Sequence, residues 1–320
     1  MQTLKKIALG LWLCAAVGAA SAQVDKPVRL LVGFAPGGSA DIAARLLADR
    51  MKDDLKQSVV VENRPGAGGR IAAEAIRNGP ADGSLLMLTP IVVTVLAPMV
   101  FAKLPYDPLA DFAPVAHVAN FQFGLSVAAT HPAKNVQELV DWWKANRPMA
   151  NFGSPAPGSL PHFFGVMIER SAGVPLVHVP YNGGGPLMNA VMGNQVSSGI
   201  DTLVDQIELH RTGKIRLIAT SGAQRSPLVP EVPTFAEGGL KGVEGTSWFA
   251  VYAPAKTPEA TLRQLNASIN KALAVPELRE RYLKLGLEPT GGSPADLSAR
   301  MAQDTARWSP VVKASGFKAD

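Results

Sequence analysis

The chain has 320 residues, 31 basic and 26 acidic side chains, five histidines and a single cysteine, Cys14. Aromatics make up 6%, none alternates with Lys or Arg, and basic residues are interleaved with acidic ones, as in ELRERYLK, so nucleic acid is set aside as a partner. Cys14 falls in an N-terminal export signal. The mature protein then has no thiol for catalysis, metal ligation or a disulfide.

The signal spans residues 1–22. Lys5 and Lys6 form its positive end, residues 7–20 are apolar, and Ala20-Ser21-Ala22 is a small-residue cleavage site. The apolar run is short for a membrane span, which needs about 20 residues. Cys14 follows Leu13 rather than a small residue, which argues against a lipid anchor. Cleavage after Ala22 leaves 320 − 22 = 298 residues, enough for two domains. It also removes two lysines, leaving 29 basic against 26 acidic residues, a mild excess that suits a small anionic ligand.

Apolar β-rich runs then alternate with helical patterns. VRLLVGF, SVVVEN and SLLMLTP read as strands, DIAARLLADRMKDDL and GRIAAEAIRN as helices, with a helical turn at residues 91–97. FAPVAHVAN and FGLSVAA are extended. The alternation resumes with VQELVDWWKANR, ANFG, LPHFFGVMIERSAG, PLVHVPY, PLMNAVMGN, SSGID and KIRLIATS. After an irregular stretch WFAVYAP reads as a strand, and the tail as three helices without strands of their own. The tail must therefore pack on an earlier sheet. This gives an α/β chain of two lobes, each a mainly parallel sheet flanked by helices. Domain 1 takes residues 23–122 and 248–320, and domain 2 residues 123–247. Two chain crossings form a hinge with a cleft between the lobes.

The strand–loop–helix junctions carry the chemistry. In GFAPGGSAD, Gly37 and Gly38 let a ligand approach the backbone, and Ser39 is placed to cap the helix. Unpaired first-turn amides at a helix start form an anion site. The loop lacks the lysine of a nucleotide P-loop, and NRPGAGGR has Ile71 where a dinucleotide fingerprint needs a small residue. Four such junctions recur: GFAPGGSAD, ENRPGAGGR, FGSPAPGSLPH and PYNGGGP. In parallel sheets they gather at the carboxyl ends of the strands, where they can grip a carboxylate. Asp41, in the first turn of the first helix, is expected to turn away from a ligand and pair with Arg45.

FAPGGSADIAAR, VVVENRPGAGG, GSPAPGSLPH, VHVPYNGGGP and RSPLVPEVPTFAEGG, in this order after a signal peptide, resemble the Bug-type receptors, the periplasmic solute-binding proteins of tripartite tricarboxylate transporters. The resemblance covers nearly the whole mature chain. It implies a two-lobed Venus flytrap of the periplasmic binding protein type. It also implies a small carboxylate-bearing ligand held by loop amides, hydroxyls and waters. Carried over by position, it makes Phe34, Ala35, Gly37, Gly38 and Ser39 ligand neighbours. It adds Ser154, Gly158, Ser159 and His162 in the second domain, with Ala156-Pro157 replacing the usual glycine-rich interior, and Tyr181, Asn182 and Gly183 after the next strand. Asp201 matches an acidic position that lies near the ligand in some members and would favour an amino or ring-nitrogen group. Thr89 and Trp248 are weaker candidates.

Each candidate has a structural alternative. His162 suits a loop-fixing hydrogen bond better than catalysis, Asp201 can cap a helix at residues 203–209, and Trp248 can support the hinge. The scattered histidines show no metal spacing, and no G-x-S-x-G elbow occurs. The expectation is a monomeric periplasmic receptor without cofactor, metal or catalysis, serving membrane transporter subunits. The alternatives are a ligand sensor with a signalling partner and a secreted enzyme acting on small organic acids.

Overall fold

A computed structural model describes residues 26–319. The signal read at residues 1–22, with Cys14, lies outside them. Strand β1, Val28–Val32, is buried at Val28, Leu30, Leu31 and Val32, so both its faces are covered rather than one. Helix α1, Ser39–Leu55, lays Ala40, Ala43, Ala44, Leu47, Met51 and Leu55 along one buried stripe. Strand β2 (Val59–Asn63), helix α2 (Arg70–Arg77) and strand β3 (Leu85–Pro90) follow, with β1 parallel to both β2 and β3. The turn expected at residues 91–97 is a fully buried π-helical segment, Val92–Leu96, running into α3, Ala97–Val100. A short helix α4, Pro108–Asp111, leads into β4, Phe112–Phe121.

The chain then enters a second sheet with β5, Phe123–Ala128. There follow α5 (Val136–Ala145), β6 (Asn151–Ser154), α6 (Leu160–Ala172), β7 (Val177–Pro180), α7 (Gly184–Met192), β8 (Gly199–Thr202), α8 (Leu203–Arg211) and β9 (Ile215–Thr220). Irregular residues 221–246 bring it back as β10, Ser247–Pro254, in the first sheet. Helices α9 (Glu259–Ala274) and α10 (Pro276–Lys284), strand β11 (Leu287–Pro289) and helix α11 (Pro294–Ser315) complete it.

The first sheet runs β11-β4-β10-β3-β1-β2 and the second β7-β6-β8-β5-β9. Both are mixed rather than mainly parallel. Strand β10 lies antiparallel between β3 and β4, and β5 is antiparallel to β8 and β9. The parallel blocks are β3-β1-β2 and β7-β6-β8, whose strands are joined in sequence through helices as βαβ units. The strands that cross between sheets, β5 and β10, are the ones that enter against that direction. The tail does own a strand. β11 pairs antiparallel with β4 at the sheet edge, but its three residues are too few to show a period.

Aromatic packing ties the two sheets together where the chain crosses. Phe121 and Phe123, on either side of Gln122, lie 5.4 Å apart, and Phe249 of β10 packs 4.4 Å from Phe121. Helix α11 reaches the other sheet as well, setting Trp308 edge-on to Phe164 of α6 at 5.9 Å. Tyr282 of α10 donates to the carbonyl of Ala43 at 2.7 Å, fixing the tail on α1.

Trp248 is a structural member of this frame. It is fully buried in β10, its indole N–H donates to Asp304 Oδ2 at 2.7 Å, and Arg300 donates to the same oxygen at 2.7 Å. Trp248→Phe keeps the ring but removes one donor to a buried carboxylate. It should lower unfolding stability by about 1–3 kcal/mol in denaturant titration and leave ligand affinity unchanged. An affinity loss without a stability loss would return Trp248 to the ligand shell.

Candidate functional site

A cavity of about 540 Å³ opens between the sheets, at the carboxyl ends of the parallel strands. Four helix starts face it, through Ser39 of α1, Leu160 of α6, Gly184 of α7 and Val204 with Asp205 of α8. First-turn amides have no partner inside their own helix, and the aligned peptide dipoles make each start weakly positive. Apolar rings complete the wall: Phe34 on the first loop, and Phe121, Phe123 and Phe249 from the crossing strands.

The first loop is rigid by construction. Gly33 packs so closely on the NRPGAGGR loop that a Cβ there would lie 2.6 Å from the Cα of Gly69. Gly37 sits at φ +82°, a left-handed conformation suited to glycine. Asn63 donates to the carbonyl of Phe34 at 3.1 Å and to Asp41 at 2.9 Å. Asp41 turns from the cavity, pairs with Arg45 and accepts from the Gly37 N–H at 2.9 Å. Burial opposes the charge on Asp41, but these donors outweigh it and hold its carboxyl below the ordinary range. The ENRPGAGGR loop thus supports the site without lining it.

Ser39 does not cap α1. The helix begins at Ser39 itself, with Gly38 preceding it and no side-chain cap. Its N–H instead donates to Asp205 Oδ1 at 3.1 Å, and its hydroxyl accepts from Thr202 Oγ1 at 3.3 Å. These bonds join the two sheets directly across the cavity. Asp205 Oδ2 also accepts from Thr202 Oγ1 at 2.9 Å.

The second loop is held from behind by two stacked imidazoles. His162 and His178 lie 4.0 Å apart. His162 Nδ1 accepts the N–H of Gly158 at 3.1 Å, and His178 Nε2 meets Ser154 Oγ at 2.7 Å. Burial pushes their pKa values down to about 4 and about 3, so both are neutral at physiological pH. His162 fixes the loop rather than facing the cavity. Ser154 donates to the carbonyl of Ala156 at 3.1 Å behind the wall, and Ser159 Oγ donates to the same carbonyl at 2.6 Å from a lining position.

Of the sequence candidates, the cavity brings together Phe34, Ala35, Gly37, Gly38, Ser39, Ser159, Gly183 and Asp201. Gly158, Ser154 and His162 stand behind the second loop. Thr89 is buried at the end of β3, Tyr181 packs against Gly153, and Asn182 is exposed beside the lining glycines. Sequence reasoning missed Asp205, the three crossing phenylalanines and the π-helical approach at Ile91 and Val92. A legible signal for Asp205 was a second acid in the first turn of the helix that opens just after the strand carrying Asp201.

Asp201 and Asp205 form the site's strongest electrostatic feature. Asp201 Oδ1 accepts from the Thr202 N–H at 2.7 Å, while its Oδ2 has no partner. Both Oδ2 atoms lie 2.5 Å from the point a Cβ on Gly184 would occupy, so the two carboxyls share one small space that only glycine leaves open. Burial first, then the charge of Asp205, raises the pKa of Asp201 well above the carboxylate range. Burial raises that of Asp205 against the bonds from Thr202 and Ser39. A raised folded-state pKa means the folded protein keeps its proton longer than the unfolded chain. The pair therefore favours folding at low pH and loses that contribution as pH climbs through the folded values. The stability of Asp201→Asn relative to wild type should rise as pH climbs above about 4, the ordinary carboxyl value, by at most about 1.4 kcal/mol per unit, in denaturant titrations. A flat difference would mean that folding does not raise the pKa of Asp201.

Comparison with known proteins places this geometry. Residues 43–317 match the family described as "Tripartite tricarboxylate transporter family receptor". Protein BugT of Bordetella pertussis is 32% identical over 97% of both chains. A structure of R. palustris Rpa4515 with adipate is 34% identical with TM-score 0.88, covering 92% of this chain and 99% of that one. MatC of Rhodopseudomonas palustris with bound malate is 30% identical with TM-score 0.85, covering 90% and 99%. The two sheet-bearing lobes, the cavity between them and these matches agree: the chain belongs to the tripartite tricarboxylate transporter receptor family, as a Bug-type solute-binding protein of the periplasmic binding protein fold.

Proposed function

We propose that this protein captures a small organic carboxylate in the cavity between its sheets, in the periplasm, and delivers it to the membrane subunits of a tripartite tricarboxylate-type transporter. The observation that carries this reading is the convergence of four helix starts on one cleft between the sheets. Relatives with adipate and malate bound support the ligand class. Residues 23–122 with 248–320 form one lobe in this reading and 123–247 the other, hinged where the chain crosses at Gln122 and in the stretch before β10. Residues 1–22 are the export signal.

The amides available to the ligand lie mostly on the second lobe. On the first loop the Gly37 N–H is held by Asp41 and the Ser39 N–H by Asp205. Gly158 donates to His162 and Gly183 to the carbonyl of Pro155. Leu160, Gly184 and Gly185 remain at the openings of α6 and α7, and they line the cavity. A desolvated carboxylate needs such charge-assisted bonds to offset the loss of water. The phenylalanines cover the apolar body of the ligand.

The reading involves no catalytic step. The neutral imidazoles of His162 and His178 are committed to the Gly158 N–H and the Ser154 hydroxyl, and the Ser39 and Thr202 hydroxyls beside the carboxyl pair are held in bonds with each other and with Asp205.

Thermal unfolding of the ligand-stripped protein against a panel of carboxylic acids tests the reading. A true ligand at about one hundred times its Kd should add about 2.7 kcal/mol of stability and come back chemically unchanged. Gly38→Leu is the matching variant. A Cβ on Gly38 has only the carbonyl of Ala35 nearby, at 3.6 Å, so the fold accommodates a side chain that then fills the cavity. The variant should unfold like wild type without ligand and lose the ligand shift. An unchanged shift would place binding elsewhere, and turnover of the acid would favour an enzyme.

A further inference from the structure

We propose that Phe317, in the last residues of the chain, is a positioning residue for the cavity: anchored on the side of the first sheet, it docks behind the second loop and fixes where the lining face of that loop stands. That the cavity holds the ligand rests on the reading above; the docking of the loop stands independently of it.

The second loop has two faces. Pro155, Ala156, Ser159, Leu160 and Pro161 line the cavity. Gly158 and His162 form the back, joined by the bond from the Gly158 N–H to His162 Nδ1. That bond lies within the loop and the helix it opens, so it holds the loop's shape but not its place relative to the first sheet. The place is set by what touches the back. A Cβ on Gly158 would lie 3.1 Å from a methyl of Val100 and 3.4 Å from the ring of Phe317. Gly158 also sits at φ +71°, so glycine is required there by conformation and by close approach together. The Phe317 ring stands nearly perpendicular to that of His162, with 4.4 Å between centroids, and 6.3 Å from that of Phe163. Ring pairs in this arrangement attract beyond the area they bury.

The tail reaches this position through a built turn. Helix α11 packs on β4 of the first sheet and ends at Ser315, where Gly316 closes it at φ +70°. The Phe317 N–H donates to Ser315 Oγ at 3.1 Å, and the Ala319 N–H donates to the carbonyl of Val100 at 3.0 Å. Val100 ends α3, and the last carbonyls of a helix have no partner within it, so the tail supplies one. Chain ends are poorly ordered unless tied down, and this one is tied to α3 by its backbone and to the loop by its ring. Val100 and Phe317 thus form one apolar seat, held on the first sheet and pressed against a loop of the second. The stretch that carries Val100 also lines the cavity at Ile91 and Val92, so the seat and the wall move as one piece.

Amide exchange on the ligand-free protein tests the docking. Phe317→Ala should speed exchange of the Gly158, Ser159 and Phe163 amides by at least about tenfold, with Leu30 of β1 and Leu125 of β5 unchanged. Phe317→Leu, which keeps apolar bulk in the seat, should restore most of the protection. Val100→Ala removes the other half of the seat, leaves the tail sequence intact and should loosen the same three amides. Calorimetry then reads the cavity with adipate and malate, the acids bound in the relatives, as probes. Phe317→Ala should weaken the binding seen with wild type at least about fivefold, and Phe317→Leu by less than about twofold. Loop amides that exchange as in wild type in both alanine variants overturn the proposal. So does acceleration spread evenly over the loop and both reference strands, the mark of a residue that adds only global stability. Loosened loop amides with unchanged affinity overturn the positioning role. Failure of both acids to bind wild type counts against the carboxylate reading, and the exchange result then decides the docking alone.

Discussion

The Ser39 amide opens the first helix of one sheet, and the Asp205 carboxylate stands one turn into the last helix of the other. Their 3.1 Å hydrogen bond spans the gap between the lobes. Much of the site depends on what makes that contact possible. Parallel strand blocks point their carboxyl ends at a common space, each following helix presents its amides there, and glycines keep side chains out of the way. The same arrangement that attracts an anion has drawn in one of the protein's own. The electrostatics of the cavity are thus set by a balance between helix starts and an internal pair of acids, with no basic residue on the wall.

The frame around this space is held by polar contacts at its loops and by aromatic packing where the chain crosses. Loop one is locked by Asn63 and Asp41, and loop two by a stack of neutral imidazoles. Phe121, Phe123 and Phe249 pack at the crossing and also line the cavity, which couples the relative setting of the lobes to whatever fills the space between them. Helix α11 adds a further contact between lobes through Trp308 and Phe164.

The order of elements was legible because hydrophobic runs and helical stripes of ordinary length have clear periods. Continuous burial in β1 and the alanine-rich stripe of α1 are visible in the letters alone. Strand direction was not, since a period says which faces are covered and nothing about the partner, and β10 and β5 turned out antiparallel. β11 was too short to signal itself. At the site, the glycine loops marked the right places, and Phe34, the glycines of loop one, Ser159, Gly183 and Asp201 do line the cavity. Sequence reading could not tell a lining residue from one just behind it, as with His162, Ser154 and Trp248. It also missed Asp205, because an acid in a helix's first turn usually faces water, and only the fold brings this one against Ser39.

Whether a ligand occupies the space between the helix starts is decided by a crystal structure of the protein carrying the ligand it retains on purification from its native host. Density for one small carboxylate is expected between the openings of α6 and α7, with Phe34, Phe121 and Phe249 against its body. Density for a ligand held elsewhere, with that cavity filled only by water, would contradict that placement.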